Sequence, residues 1–389
     1  MIYVGIDVAK KKHDCCILTS DGEKNTFTIT NNMDGFTHLL EKILAAEEDH
    51  SNVKVGLEST GHYSYNILKF LLNFGFTTYV LNPLFAKEYR KCLLHRSTKT
   101  DKVDAYILAD MVMSGRNLKP YCLALYHNED LKSLTRYKFS LVKKRSLEKV
   151  SFSRLVNIVF PELEDLFRNI HTSTVTALLY EYPSAESIAS ANLTRLTNII
   201  KTASCGRFSK DKAIEIRNLA KHSVGSGSPA SSFELRQVIE SIEYWDEKIE
   251  KAEAEIEKYC GEDEEILCSI PGMSKMAAAA IVAEIGDIEK FERPDQLVAY
   301  SGISPSTYQS GQKENKHARM EKKGSKYLRY HLFITAKQMT MANPKSKEYL
   351  DRKVDEGKHY YVAISHLMKK LIRLIFAMLK KRSRYLEAA

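Results

Sequence analysis

Four acidic residues stand where they could work together on a phosphate. Asp7 closes the apolar run that starts at Ile2, Glu58 closes a second run that starts at Val53, and Asp101 and Asp104 lie three residues apart at the start of a helical pattern. Side chains at the ends of neighbouring strands can converge, and carboxylates at i and i+3 share one helix face. Such a cluster repels itself unless cations occupy it. Hard oxygen ligands select Mg²⁺ or Mn²⁺ over zinc, and two ions about 4 Å apart would activate a nucleophile and stabilise the leaving oxygen of a phosphodiester. Taken singly, each acid has a plainer use. Asp7 could end a strand, Glu58 could precede a helix capped by Ser59 or Thr60, and Asp101 and Asp104 could complement a helix dipole. Their joint placement favours a metal site.

The elements that must position these acids follow from periodicity. Strand patterns cover residues 2–7, 13–19 and 26–29, with a Ser-Asp-Gly-Glu turn before the third. A helix over about 33–46, a strand over 53–58, a helix over 61–74 ended by Gly75, and a strand over 77–81 come next. Helices around 84–93 and 101–113 complete a mixed sheet with helices, an RNase H-like order that puts the acids at one sheet edge. The predicted fold class is therefore an α/β RNase H/RuvC-like N-terminal domain, a helical coiled-coil segment, and a mostly α-helical C-terminal domain. The expected boundaries are 1–125, 126–262 and 263–389.

Composition is consistent with a nucleic-acid partner. Lys plus Arg exceed Asp plus Glu by 58 to 49, and the resulting +9 over 389 residues favours a polyanion. With 44% hydrophobic and 28% charged residues, general disorder is excluded. The seven cysteines form no CxxC pair, zinc spacing or even disulfide framework, which fits a reducing cytoplasm. No export signal or membrane-length apolar stretch is visible, so a cytoplasmic protein without membrane contact is expected.

From about residue 129 to 259 the pattern is helical, with one regular seam: Val238, Ile242, Trp245, Ile249, Ala252, Ile256 and Tyr259 alternate steps of four and three. That heptad spacing predicts a coiled coil, within the chain against a helix over 131–155 or between chains; one amphipathic helix on an ordinary core is the alternative. Residues 225–232, rich in Gly and Ser, read as a loop or flexible joint. Pro271-Gly272 before an Ala-rich helix reads either as a phosphate-holding helix-hairpin-helix turn or as tight helix packing. Lys322, Lys323, Lys326 and Arg329, interleaved with Tyr327 and Tyr330, are candidates for phosphate contact and base stacking, and the basic helix over 360–385 is expected at the surface.

Three blocks, Gly5-Ile6-Asp7-Val8-Ala9-Lys10, Gly56-Leu57-Glu58-Ser59-Thr60-Gly61 and Lys99-Thr100-Asp101-Lys102-Val103-Asp104-Ala105, resemble those of a RuvC-like nuclease domain in the insertion-sequence 110 family of DEDD transposases. Asn82-Pro83 suits the same pattern. A second stretch resembles that family's C-terminal domain. It runs from Ser269-Ile270-Pro271-Gly272 through Ala283-Glu284-Ile285-Gly286-Asp287 and Tyr300-Ser301-Gly302 to Lys322-Lys323-Gly324-Ser325-Lys326-Tyr327-Leu328-Arg329. The resemblance covers nearly the whole chain. It implies that Asp7, Glu58, Asp101 and Asp104 hold Mg²⁺ or Mn²⁺, that Lys99 contacts nucleic acid, and that Ser310, before Gly311, is the covalent nucleophile toward DNA phosphate. Gln309 and the single following glycine depart from the family's pattern. Ser301, Ser304 and Ser306 stand nearby. The resemblance further implies a structured noncoding bridge RNA that pairs with donor and target DNA, and a homo-oligomer, dimer or tetramer, in which acids and serine can come from different chains. Competing readings are a junction resolvase using metal-activated water, an actin-like ATP-binding fold, for which a second Gly-rich phosphate loop is missing, and an inactive nucleic-acid binder.

Overall fold

The computed structural model describes residues 1–58, 61–81, 83–94, 101–115, 118, 120–121, 123–304, 309–310, 313–314 and 320–386. They divide into two compact units, residues 1–129 and 130–389.

The first unit is α/β. Its elements are β1 (Ile2–Val8), β2 (Lys12–Thr19), β3 (Lys24–Thr30), α1 (Met33–Ala46), β4 (Val53–Glu58), α2 (Tyr65–Asn73), β5 (Thr77–Leu81), α3 (Pro83–Leu94) and α4 (Asp101–Ser114). The described strands form a five-stranded sheet in the order β3-β2-β1-β4-β5. The first three strands are antiparallel neighbours, and β1, β4 and β5 run parallel.

Alternation along the strands divides the labour between the two faces. Ile2, Val4 and Ile6 of β1 and Val53, Val55 and Leu57 of β4 join Phe36, Leu39 and Ile43 of α1 and Ile67 and Leu71 of α2 in one core. The intervening residues Gly5 and Gly56 face α4. A Cβ on Gly5 would lie 2.0 Å from the Ala105 carbonyl oxygen and 2.4 Å from the Ala109 nitrogen; one on Gly56 would lie 2.4 Å from Val112 Cγ2. The two glycines are register partners across β1 and β4. They form a floor on which the helix backbone rests directly. Tyr79 and Leu81 of β5 close this side with Ile107, Leu108, Met111 and Val112 of α4 and Ala86 of α3. The Tyr89 hydroxyl donates to Asp110 at 2.6 Å and ties α3 to α4.

The second unit is mostly helical. The long helices α5 (Leu123–Val159) and α11 (Pro229–Glu257) run antiparallel, with ion pairs Arg154–Glu234, Arg145–Asp246 and Lys138–Glu253 in opposite sequence order. Leu141 packs with Ile249 and Ala252, and Leu131 with Ile256. Between the long helices, α6 (Leu163–Leu166), α7 (Ser173–Glu181), α8 (Ala185–Ser190), α9 (Leu193–Ala203) and α10 (Lys210–Lys221) build a separate core. Phe152, Phe160, Leu178, Ile200, Ile216 and Leu235 belong to it.

The stretch expected as a loop or flexible joint is a loop up to residue 228, and it is tethered. The Ser226 amide donates to the Ile158 carbonyl at 2.8 Å, Val224 donates to Glu162 at 2.8 Å, and α11 already begins at Pro229 behind the Ser228 cap.

The chain ends in α12 (Glu262–Cys268), α13 (Lys275–Ile285), α14 (Pro294–Tyr300), the short pair β6 (Gln309–Ser310) and β7 (Lys313–Glu314), α15 (Lys326–Ala342), α16 (Pro344–Asp355) and α17 (Tyr360–Lys381). Helix α17 buries Ile364, Leu367, Leu371, Ile372, Ile375 and Leu379 in the core of this part. The basic tail helix is thus a core element with one charged face. Gly272 has φ +85°, and a Cβ there would lie 2.7 Å from the Met339 nitrogen. The Pro271-Gly272 turn therefore serves tight packing against α15. No helix among the described residues is long and apolar enough to cross a membrane.

The seat of α4 predicts a steric penalty. Gly5→Ala in the full chain is expected to lower the unfolding free energy by about 1–3 kcal/mol, because backbone atoms of α4 must move to admit the methyl group. Urea unfolding measures it; an unchanged midpoint and slope would mean that the helix does not rest on this glycine.

Candidate functional site

Asp7 and Glu58 sit half-buried near and at the C-terminal ends of β1 and β4. Ile6 pairs with Leu57, so the two acids are the next residues on adjacent parallel strands, and alternation puts them on the glycine face under α4. Asp101 and Asp104 lie in the first turn of that helix; Asp104 immediately precedes Ala105, whose carbonyl touches the Gly5 position. Asp104 is buried and ion-paired with Arg90 of α3. The side chain of Asp101 is outside the described residues, as is Lys99. Among the described residues no group of three or more His, Cys, Asp or Glu is close enough to hold a metal ion. The geometry brings Asp7 and Glu58 together as neighbours and turns Asp104 to an arginine.

One further carboxylate belongs to this face. Asp14 of β2 is the direct register partner of Asp7, is 5% exposed, accepts a hydrogen bond from the Thr28 hydroxyl at 2.6 Å and lies 3.6 Å from Lys12 Nζ. Acids directly opposite on a sheet repel, and these two contacts offset part of that cost. The short connection between β1 and β2 was the signal that could have placed Asp14. Arg90 carried no comparable signal, because its partner lies on another helix.

Ser310 lies in β6, where its backbone pairs with Lys313 of β7. Its side chain lies outside the described residues. The segment that carries it is closed at its base by backbone bonds: Glu321 N donates to Ser304 O at 3.0 Å, and Lys322 N to Gly302 O at 3.2 Å. A Cβ on Gly324 would lie 2.1 Å from the Tyr300 carbonyl oxygen. The Arg329 guanidinium donates to the Ser301 carbonyl at 3.2 Å, and burial lowers its pKa. Arg329 is therefore engaged in holding this base, whereas Lys322, Lys323 and Lys326 are exposed. Tyr327 and Tyr330 pack edge-on against Phe139 of α5, and Arg136 covers the Tyr327 ring at 4.8 Å.

Beneath the base lies a buried ion pair that sequence reasoning missed. Arg136 of α5 donates to both oxygens of Glu284, Nε to Oε1 at 2.6 Å and Nη2 to Oε2 at 3.0 Å, and the Ser325 hydroxyl donates to Oε2 at 2.6 Å. The Glu284 side chain is 1% exposed. Burial pushes its carboxyl up, but the Arg136 and Ser325 hydrogen bonds and the Arg136 charge outweigh that, so it is held below the usual carboxylate range. Nearby, His331 is pushed down to about 4 by burial, with Lys138 adding and Glu284 opposing. Glu284 lies in a quoted motif, yet only the fold reveals its distant partner, Arg136.

Comparison with known proteins places this arrangement in a class. A family model described as "Transposase" matches residues 4–161, and a second, "Transposase IS116/IS110/IS902 family", matches residues 264–351. The chain is 24% identical to the "Pilin gene-inverting protein" of Moraxella lacunata, over 97% of this chain and 96% of that one. It is 24% identical to the "Insertion element IS116 uncharacterized 44.8 kDa protein" of Streptomyces clavuligerus, over 98% and 95%. With the "Insertion element IS900 uncharacterized 42 kDa protein" of Mycobacterium paratuberculosis it shares 23% identity, over 99% and 97%. The matches define a transposase, an enzyme of DNA recombination. The chain belongs to the IS110 family of insertion-element transposases.

His331 generates a prediction. Its folded pKa of about 4 lies below the ordinary 6.5, so the unfolded chain binds the extra proton between those values, and stability falls as pH drops from about 6.5 towards 4. The shift corresponds to roughly 3 kcal/mol across the window. His331→Gln should reduce the loss of stability between pH 7 and pH 4.5 relative to wild type, measured by urea unfolding at both pH values; equal losses would refute the assignment.

Proposed function

We propose that this transposase cuts and rejoins DNA by attack of Ser310 on a phosphodiester held at Asp7, Glu58, Asp101 and Asp104. The observation that carries the reading is the placement of Asp7 and Glu58 side by side on parallel strands, beneath the helix whose first turn holds Asp101 and Asp104. The sheet order β3-β2-β1-β4-β5 supports a reading of residues 1–125 as an RNase H-like, RuvC-like nuclease domain. Residues 126–262 would serve assembly, with α5 and α11 as a coiled coil within the chain, and residues 263–389 would carry the serine.

The all-oxygen donor set fits a hard cation, so Asp7, Glu58, Asp101 and Asp104 would hold Mg²⁺ or Mn²⁺. Bound there, a pair of such ions supplies activation of the attacking hydroxyl and neutralisation of the phosphate charge. Ser310 Oγ forms a bond to phosphorus as the bond to one sugar oxygen breaks. That oxygen leaves as a hydroxyl carrying the serine proton, and a phosphoserine ester remains. Attack by a DNA hydroxyl reverses the step, restores a diester and frees the serine, so no ATP is needed for rejoining. Two relatives are named as pilin gene-inverting proteins, and inversion requires rejoining.

The partners we infer are element and target DNA, a structured bridge RNA that pairs with both, and further copies of the chain as a dimer or tetramer, in the cytoplasm on the nucleoid. The +9 charge and the exposed Lys322, Lys323 and Lys326 support polyanion binding, and Lys99 is retained as a candidate. Acids and serine from different copies would make cleavage wait for assembly.

The test is an adduct trap. Purified protein, Mg²⁺, candidate RNA and element-end DNA are incubated, and wild type is compared with Ser310→Ala and Glu58→Gln on a denaturing gel. The expected result is a covalent protein–DNA band that both variants lose. Nicking without an adduct, persisting in Ser310→Ala, would make water the nucleophile and replace this reading with a resolvase-like one.

A further inference from the structure

The segment between Ser304 and Glu321 carries Ser310, and the described residues include both of its ends. Those ends meet at Gly302 and Gly324, where a Cβ on either glycine would collide with the other strand's backbone: Gly302 Cβ would lie 2.7 Å from Gly324 N, and Gly324 Cβ 2.5 Å from Gly302 N. Directly after Gly324, Ser325 does two things at once. It caps α15 by accepting from the Leu328 amide at 3.1 Å, and it donates to Glu284 at 2.6 Å. On the other side of the junction the Tyr300 hydroxyl donates to the Glu284 carbonyl at 3.1 Å. Glu284 thus touches the residues flanking both ends of the segment, through its carboxylate on one side and its backbone on the other. Its carboxylate is in turn clamped by Arg136 in a two-bond fork, a geometry that fixes orientation as well as distance.

We propose that Glu284 is a positioning residue for Ser310. It locks the Tyr300–Ser325 junction to α5, so that both ends of the serine-bearing segment are held at one defined place. The inference rests on the reading of Ser310 as nucleophile. A fixed exit matters because a nucleophile misplaced by about 1 Å can lose on the order of 100-fold in rate while substrate binding survives. The Ser325 hydroxyl is the relay, since it alone among the described side chains joins the Glu284 carboxylate to the second end of the segment.

The experiment uses the full-length protein with DNA and RNA and compares Glu284→Gln, Ser325→Ala and Ser325→Thr. Adduct formation is timed at saturating DNA, DNA affinity is measured separately, and hydrogen exchange is read over residues 300–325 in the free protein. Glu284→Gln and Ser325→Ala should slow adduct formation by roughly 10- to 100-fold, leave DNA affinity within about threefold, and speed exchange at 300–325 while α13 and α15 beyond its first turn stay protected. Ser325→Thr, which keeps the hydroxyl, should restore both rate and protection. Unchanged exchange, an unchanged adduct rate in both losses, or a threonine variant as slow as alanine each overturns the proposal. If wild type cuts DNA without an adduct, the serine reading itself fails, and exchange still decides whether Glu284 holds the junction.

Discussion

Gly5 and Gly56 stand side by side on neighbouring parallel strands, and no other residue type leaves room for the backbone of α4 to lie where it does. A methyl group at either position would occupy space already filled by Ala105, Ala109 or Val112. At Gly5 the contact is backbone against backbone, so the height of the helix over β1 is set by the sheet itself, while Gly56 makes room for the Val112 side chain. Asp7 follows Gly5 by two residues, Glu58 follows Gly56 by two, and Asp104 precedes Ala105 by one. The glycine floor is therefore the common reference from which three of the four acids are placed.

The second unit solves a similar problem with charge. Glu284 is buried at the end of a helix whose other buried residues are almost all apolar, and a carboxylate there is tolerated only because Arg136 and Ser325 occupy its oxygens. Such a pair specifies geometry more than it adds stability: an apolar replacement could fill the volume, but it could not tell α5, α13 and the start of α15 where to meet. Arg329 plays a smaller part in the same junction by donating to the Ser301 carbonyl. A residue that looked like a phosphate contact in a basic run is thereby engaged in the fold.

The legible part of the sequence was that in which one periodicity rules. Period-two alternation in 2–7 and 53–58 located β1 and β4, and Gly75 marked the end of the helix between β4 and β5. The heptad seam located α11, and its partner α5 was named. What stayed hidden depends on distant pairing. Helices α6 to α10 interrupt the long antiparallel pair with a core of their own, and nothing in a local window separates them from the flanking helices. Asp14 required the register of β1 on β2, Arg90 the packing of α3 on α4, and Arg136 a partner 148 positions away. Type and spacing singled out Tyr327 and Tyr330 but not their edge-on packing against Phe139, which leaves Tyr330 exposed. Ser310 was singled out by resemblance alone, since loop serines carry no periodic signal.

In the proposed reaction a divalent cation and the scissile phosphate meet on the face of the sheet under α4. Iron-directed cleavage tests it without relying on turnover: the protein is loaded with Fe²⁺ in place of Mg²⁺, ascorbate and peroxide are added, and the backbone fragments are mapped. Cuts are expected to cluster near residues 7, 58 and 101–104, to be suppressed by excess Mg²⁺ and to be lost in Asp7→Asn. Cuts confined to other positions, or unaffected by Mg²⁺, would contradict it.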